Sequence, residues 1–221
     1  MRNEFGRRGD VMIRLTFSGV TKCFDGRTII RNFSAEALSG QITAVTGING
    51  SGKSTLLKLA AGLLLPDTGS VIVREDGSVW RKNDRCRRVG MVAPDMHVYS
   101  ELTARENLDF FLGFRYNVPL SDRQYDELMS RVGLQPDAIL KKRVRNFSTG
   151  MEKRLHLAIL LASGADVWLL DEPGAHLDRA GRCLVQREAR RAAEEGKLVL
   201  WATNDAEEEA EADASIALSG R

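Results

Sequence analysis

Gly47-Ile48-Asn49-Gly50-Ser51-Gly52-Lys53-Ser54 is the stretch that decides how this chain is read. One glycine, four residues, then Gly-Lys-Ser is the spacing of a phosphate-binding P-loop. The residue types follow from the ligand. Triphosphate oxygens need many donors at short range, and glycines let backbone N–H groups turn inward and approach them. Lys53 adds a mobile positive charge for the β- and γ-phosphates. The Ser54 hydroxyl is a candidate Mg²⁺ ligand. A helix opening at this point aims its positive end at the anion.

The flanks supply the setting that such a loop requires. Gln41-Ile42-Thr43-Ala44-Val45-Thr46 reads as a short buried strand entering it, and Ser54-Thr55-Leu56-Leu57-Lys58-Leu59-Ala60-Ala61-Gly62 as the helix leaving it. An incidental glycine-rich turn would not need this frame. The candidate nucleotide contacts are therefore Gly47, Ile48, Asn49, Gly50, Ser51, Gly52, Lys53, Ser54 and Thr55.

A second element belongs to the same chemistry. Val167-Trp168-Leu169-Leu170-Asp171-Glu172 has four apolar residues, read as a buried strand, with two acids at its C-terminal end. Open parallel α/β sheets bind ligands at that edge. Asp171 is placed to hold Mg²⁺ through water, and Glu172 to orient or deprotonate an attacking water. An acidic pair merely capping a strand beside Pro173 is the plainer alternative. A long amphipathic helix, about 178 to 195, then leads to another buried strand, Leu198 to Thr203.

Further out, residues 11 to 37 read as antiparallel strands around an Asp25-Gly26 turn. Phe24 is either a base-stacking aromatic or a core side chain. Pro66-Asp67-Thr68-Gly69 reads as a turn, and Ser70 to Val79 as a hairpin. The basic run Arg81, Lys82, Arg85, Arg87 and Arg88 is expected to be a solvated face, and Arg88 to Ala93 a strand. From about 100 to 160 the pattern becomes helical. Thr103-Ala104-Arg105-Glu106 and Ser121-Asp122-Arg123-Gln124 are capping boxes, and Pro136 interrupts the second helix. Lys141-Lys142-Arg143-Val144-Arg145 is a second basic cluster, and a helix runs from about Gly150 to Ala162. Glu207, Glu208, Glu209 and Glu211 read as a solvated helix face. Ser215 to Leu218 reads as a last strand.

Composition bounds the rest. With 221 residues, 43% hydrophobic and 28% charged, the chain can build a substantial core. A net charge of only +2 gives no drive towards nucleic acid. Three widely spaced cysteines form no metal or redox motif and fit a reducing compartment. The N-terminal residues lack the apolar region of a signal peptide, and no apolar run approaches ~18 residues. A membrane role would need a partner to supply the span.

Phe147-Ser148-Thr149-Gly150-Met151-Glu152-Lys153-Arg154-Leu155, standing between the two phosphate elements, resembles the signature of ATP-binding-cassette (ABC) transporter subunits, a Ser-x-Gly loop opening a helix. Ala175-His176-Leu177-Asp178 is similar to the family's D-loop, and Phe24 falls at its base-stacking aromatic. The resemblance covers about residues 12 to 218, leaving 1 to 11 as an N-terminal extension. It implies a P-loop NTPase with a RecA-like α/β core, an antiparallel β subdomain and a helical subdomain, about 95 to 160. It implies ATP and Mg²⁺ as ligands and a head-to-tail homodimer. In that dimer Ser148, Thr149, Gly150 and Met151 would meet the nucleotide held by the other subunit's P-loop. It also implies an ATPase on the cytoplasmic face of a membrane, driving transport through a separate integral permease.

Two positions depart from the family. Pro94 stands where a glutamine usually follows the strand, with Asp95 beside it as a substitute one residue out of step. Asn204 follows Ala202-Thr203 where the family usually has a histidine. It either senses the γ-phosphate through its amide or caps the helix begun by Asp205 and Ala206. Ser100 to Leu108 resembles small subunits of the haem-exporter (CcmA-like) type. With a last strand read at 215 to 218, no C-terminal regulatory domain is expected. Two other functions stay open: a soluble ABC ATPase outside transport, and a slow nucleotide-gated assembly module, motivated by Pro94 and Asn204.

Overall fold

The computed structural model describes residues 11–116 and 119–218, the side chains of 114–116 excepted. All but the last residue of the expected N-terminal extension lies outside the described residues. The chain opens with β1 (Ile13–Phe24) and β2 (Arg27–Leu38), then β3 (Ile42–Thr46) and α1 (Lys53–Ala61). β4 (Thr68–Glu75), β5 (Ser78–Val79), α2 (Lys82–Arg88) and β6 (Val89–Val92) follow. The helical stretch comprises α3 (Ala104–Tyr116), α4 (Asp122–Arg131), α5 (Pro136–Ile139) and α6 (Thr149–Ala162). The chain closes with β7 (Val167–Asp171), α7 (Arg179–Glu194), β8 (Leu198–Ala202), α8 (Ala206–Ala210) and β9 (Ala214–Ala217).

Two sheets result. One is antiparallel, in the order β2-β1-β4-β5, and the other is parallel, in the order β6-β7-β8-β3-β9. β7 and β8 are buried along their whole length, because parallel strands covered on both faces read as unbroken apolar runs. Their alternation sorts two cores. Val167, Leu169, Leu198 and Leu200 face α1 and the antiparallel sheet. Trp168, Leu170, Val199 and Trp201 face α6, α7 and the rest of the helical stretch. Each such side chain stabilises the fold by roughly 1.5–3 kcal/mol through burial.

Register sets the functional edge. Val92 pairs with Leu170, Asp171 with Ala202, and Ala202 with Val45. The C-terminal ends of β6, β7, β8 and β3 therefore stand level. They bring Pro94, Glu172, Asn204 and Gly47 to one rim of the sheet.

Local signals explain most boundaries. Ser121 and Gln124 form the expected capping box on α4, and Thr103 with Glu106 does the same for α3. Some expectations fail. Thr68 and Gly69 belong to β4 rather than to a turn, and their strand pairs with β1. Pro136 starts a helix rather than only ending one. It sits at the first position of α5, where its missing N–H has no helical partner to lose.

The first basic run is not simply a solvated face. Arg85 donates to the Ala60 carbonyl at the end of α1 (2.9 Å) and to Val71 O (3.3 Å). Arg88 clamps the two sheets, with Nη1 and Nη2 on Glu75 at 2.5 and 2.6 Å and Nε on Asp166 at 2.6 Å. Its guanidinium also stacks over Trp80, 4.2 Å from the ring centre. The second cluster is partly used in the same way: Arg143 and Arg145 both reach Glu101.

Candidate nucleotide site

β3 delivers Gly47 to the rim, and the loop then turns into α1. Gly47, Gly50 and Gly52 have φ of 146°, 80° and 102°, a region that side-chain-bearing residues seldom enter. At Gly47 space is also limiting, since a Cβ there would lie 2.7 Å from Leu218 O and from Ser51 Oγ. Lys53 is buried and folds back over the loop, donating to Gly47 O at 2.8 Å and Ile48 O at 3.4 Å. These are neutral carbonyls, so its charge has no counter-ion in the loop itself and is available to phosphate.

Asp171 ends β7 and is buried. Burial raises its carboxyl above the ordinary range, while a side-chain hydrogen bond from Ser54 pulls the other way. A hydroxyl and a desolvated carboxylate thus meet at the first turn of α1. Oxygen donors with unbalanced negative charge fit a hard divalent cation such as Mg²⁺.

Glu172 lies one residue past the strand in the left-handed region, φ 46°. Its N–H donates to Ala202 O (2.9 Å), which ties the turn to β8. Asp95 is held by Lys58 of α1 at 2.5 Å, and that ammonium lowers its carboxyl below the usual range. Pro94 is exposed on the same rim and offers no side-chain donor.

Asn204 donates from Nδ2 to Asn49 Oδ1 at 3.0 Å. The capping alternative fails, because Asp205 caps α8 by accepting from Glu207 N and Glu208 N. Phe24 is not a core residue either. It is 41% exposed at the end of β1, with Lys22 Nζ 5.4 Å from its ring centre. Ser148 is the N-cap of α6, where its hydroxyl accepts from Met151 N at 3.3 Å. Asp178 caps α7 through Gly181 N (2.7 Å) and faces Arg154 of α6 at 3.6 Å. Among the described residues, no hydrogen bond or ion pair joins 148–151 to the P-loop of the same chain. Gly150 has open space, since a Cβ there would meet nothing closer than 4.0 Å.

The sequence profile of the ABC transporter family matches residues 30–175. The chain belongs to the ABC transporter family. It is 31% identical over 191 residues to the uncharacterized ABC transporter ATP-binding protein YdbJ of Bacillus subtilis, covering 86% of this chain and 61% of that one. It is 32% identical over 167 residues to the lantibiotic transport ATP-binding protein SrtF of Streptococcus pyogenes, covering 76% and 69%. The chain therefore spans about half to two thirds of the length of such relatives. In fold it is similar to the ATP-binding cassette MJ0796, solved as a dimer in a post-hydrolysis state with ADP and Pi. There the TM-score is 0.80 at 23% identity, over 93% of this chain and 94% of that one. An ATP-binding subunit of an ABC transporter gives a TM-score of 0.79 at 22% identity, over 92% and 85%. The fold is that of the ABC cassette, an α/β P-loop NTPase.

Two side chains near this ABC site escaped the sequence reading. Glu208 is 6% exposed rather than on a solvated face, and its Oε2 accepts from Thr203 Oγ1 (2.6 Å) and Trp201 Nε1 (3.1 Å). Its donors lie on and just after β8, so nothing in the acidic run itself sets Glu208 apart from the acids around it. Lys153 of α6 donates to Ala175 O in the turn after Glu172. Nothing in its local sequence marks that contact.

Proposed function

We propose that this chain is the ATP-binding and ATP-hydrolysing subunit of a transporter, driving transport through a separate integral membrane permease from the cytoplasmic face. The observation that supports this best is the register that places the Gly47–Ser54 loop and the Asp171-Glu172 pair at one sheet edge. Residues 12–218 would be one ABC-type ATP-binding domain, with the helical subdomain at about 95–160.

Each side chain then has a task. Phe24 stacks on the base. Backbone N–H groups of Ile48 to Thr55 and the Lys53 ammonium take the phosphates. Ser54 and Asp171 would hold Mg²⁺, which neutralises charge on the phosphate oxygens. Glu172 orients a water and takes its proton as the water oxygen bonds to the γ-phosphorus. The bond from that phosphorus to the bridging oxygen breaks, leaving ADP and phosphate. Asn204 supplies an amide donor to the γ-phosphate. Ser148 to Met151 complete the site in trans on a second copy, consistent with the open space at Gly150 and, among the described residues, with no hydrogen bond from 148–151 to the P-loop of the same chain.

A slower, nucleotide-gated module is the second reading. It is favoured by Pro94, which has no donor, and by Asp95, which Lys58 already engages. The relatives named for a cargo carry different ones, a lantibiotic in one case and Fe(3+) in another, so likeness to them selects none. The experiment is affinity purification from solubilised membranes, together with phosphate release from Mg-ATP. An integral membrane protein recovered with the chain, and ATP turnover stimulated by it, support transport. Recovery with ribosomes or DNA alone, or ATP binding without turnover, overturns it.

A further inference from the structure

The turn between β7 and α7 is strained, and two outside side chains hold it. Glu172 and His176 are non-glycine residues with φ of 46° and 62°. Such conformations persist only where the surroundings over-determine them. One support comes from α6, the helix opened by Ser148. Lys153 sends its half-buried ammonium to the Ala175 carbonyl, midway along the turn. The second comes from α8. A Cβ added at Gly174 would lie 1.9 Å from Glu208 Oε1, so that carboxylate packs directly on the backbone of the turn. Its other oxygen holds Thr203, whose hydroxyl also accepts from Asp205 N at 3.0 Å. Asn204, between those two residues, is the one that touches the P-loop. Burial lowers the Lys153 pKa, and the negative charges of Glu172 and Glu208 oppose that shift. The ammonium thus bonds the turn's carbonyl and feels the charges of Glu172 and Glu208.

We infer that Lys153 is a positioning residue for hydrolysis, fixing the turn that carries Glu172 through the Ala175 carbonyl, while the buried Glu208 carboxylate braces the same turn at Gly174, and so linking the helix behind Ser148 to the reacting end of the same chain's site. The inference rests on the reading of Glu172 as the base. The hydrogen bond of Lys153 goes to the Ala175 carbonyl and not to the P-loop. The P-loop contacts do not pass through it, so its loss should act on turnover and leave ATP binding alone. An arginine can reach the same carbonyl and keep the charge, whereas methionine keeps only the length of the stem.

The test uses the purified full chain, with kcat, KM for Mg-ATP and thermal midpoint measured for Lys153→Met, Lys153→Arg, Glu208→Gln, Glu172→Gln and the double variant Lys153→Met/Glu172→Gln. Misplacing a reacting group from a distance can cost about 10- to 100-fold in rate. That loss in kcat is expected for Lys153→Met, with KM within about twofold and substantial recovery in Lys153→Arg. The double variant should be no slower than Glu172→Gln alone, because the lysine acts only through that turn. Should Lys153→Met fold poorly, Glu208→Gln probes the same turn from the other side at constant volume and should show the same split. Wild-type kcat in both Lys153→Met and Glu208→Gln, or a rate loss matched by a rise in KM, overturns the inference. A further full loss in the double variant does so too. Failure of the underlying reading is seen separately, as wild-type turnover in Glu172→Gln.

Discussion

The Asn204 amide donates to the side-chain carbonyl of Asn49 at 3.0 Å, joining the end of β8 to the P-loop across 155 residues of chain. With Asp205 supplying the cap of α8, Asn204 is free of any duty to that helix. Its bond to Asn49 is exposed, and exchange with water makes such a bond worth only about 0.5–1.5 kcal/mol. A phosphate oxygen entering the loop can therefore take over the donor at little cost.

Asn204→Ala should lower turnover while leaving ATP affinity and thermal midpoint near wild type. Loss of one preorganised donor typically costs ~2.7–4 kcal/mol in a closed site, and here less, because Lys53 already answers part of that charge. Asn204→His should restore or exceed wild-type turnover. In the wild type no imidazole-like step near pH ~6.5 should arise from this position. Steady-state kinetics over pH check both points, and unchanged turnover per folded molecule in Asn204→Ala removes the sensor role.

Lys53→Ala should abolish tight Mg-ATP binding. The ammonium is buried against Gly47 O and Ile48 O, so the substitution removes both the phosphate's counter-charge and a brace of the loop. Equilibrium titration with a fluorescent ATP analogue reads this directly. Wild-type affinity would show that phosphate is held elsewhere.

Glu172→Gln should retain ATP binding and lose about 10²–10⁴-fold in turnover, the usual contribution of a general base. The variant should accumulate an ATP-bound dimer on size exclusion. Turnover within a few-fold of wild type would mean that another group takes the proton.

Mixed dimers test whether Ser148 acts in trans. One chain carries Lys53→Ala and the other Ser148→Arg, so both lesions fall on one composite site and the second site is intact. ATP-driven closure at that second site is expected, measured as one retained nucleotide per dimer. Complete loss, as deep as in a homodimer carrying both changes, contradicts separable composite sites.

Stability should fall with acidity through His156. Burial pushes this imidazole down to about 4, helped by the charges of His97 and Lys153, and its Nε2 has no hydrogen-bond partner. The folded value lies below that of the unfolded chain, so the unfolded state takes up the proton first. The group's contribution is intact above pH ~6.5 and is lost as pH falls towards about 4, amounting to roughly 2 kcal/mol between pH ~7.5 and ~5. Urea midpoints at the two pH values check this, and His156→Leu should flatten the dependence. An equal slope in that variant assigns the loss to other groups.

The sequence by itself determined what local physics controls. The P-loop is legible because glycine backbone freedom, one lysine and one hydroxyl must fall at fixed spacing. β7 and β8 are legible because strands buried on both faces have to be apolar throughout. The helix starts at Ser121, Ser148 and Asp178 are written in side chains that satisfy free N–H groups within one turn. Only the tertiary structure decided the rest. Glu208 lies in an acidic run that reads as a solvated face, and it turns inward because Thr203 and Trp201, brought to it by the folding of β8 against α8, present donors that a buried carboxylate requires. Arg85 and Arg88 look like members of a charged face, yet their partners stand far off in sequence, Ala60 on α1, Glu75 on β4 and Asp166 just before β7. Periodicity reports which way a side chain points relative to its own helix or strand. It does not report which carbonyl or carboxylate another part of the chain will place opposite, and that placement fixes the surroundings of Lys153, Asp95 and Asn204.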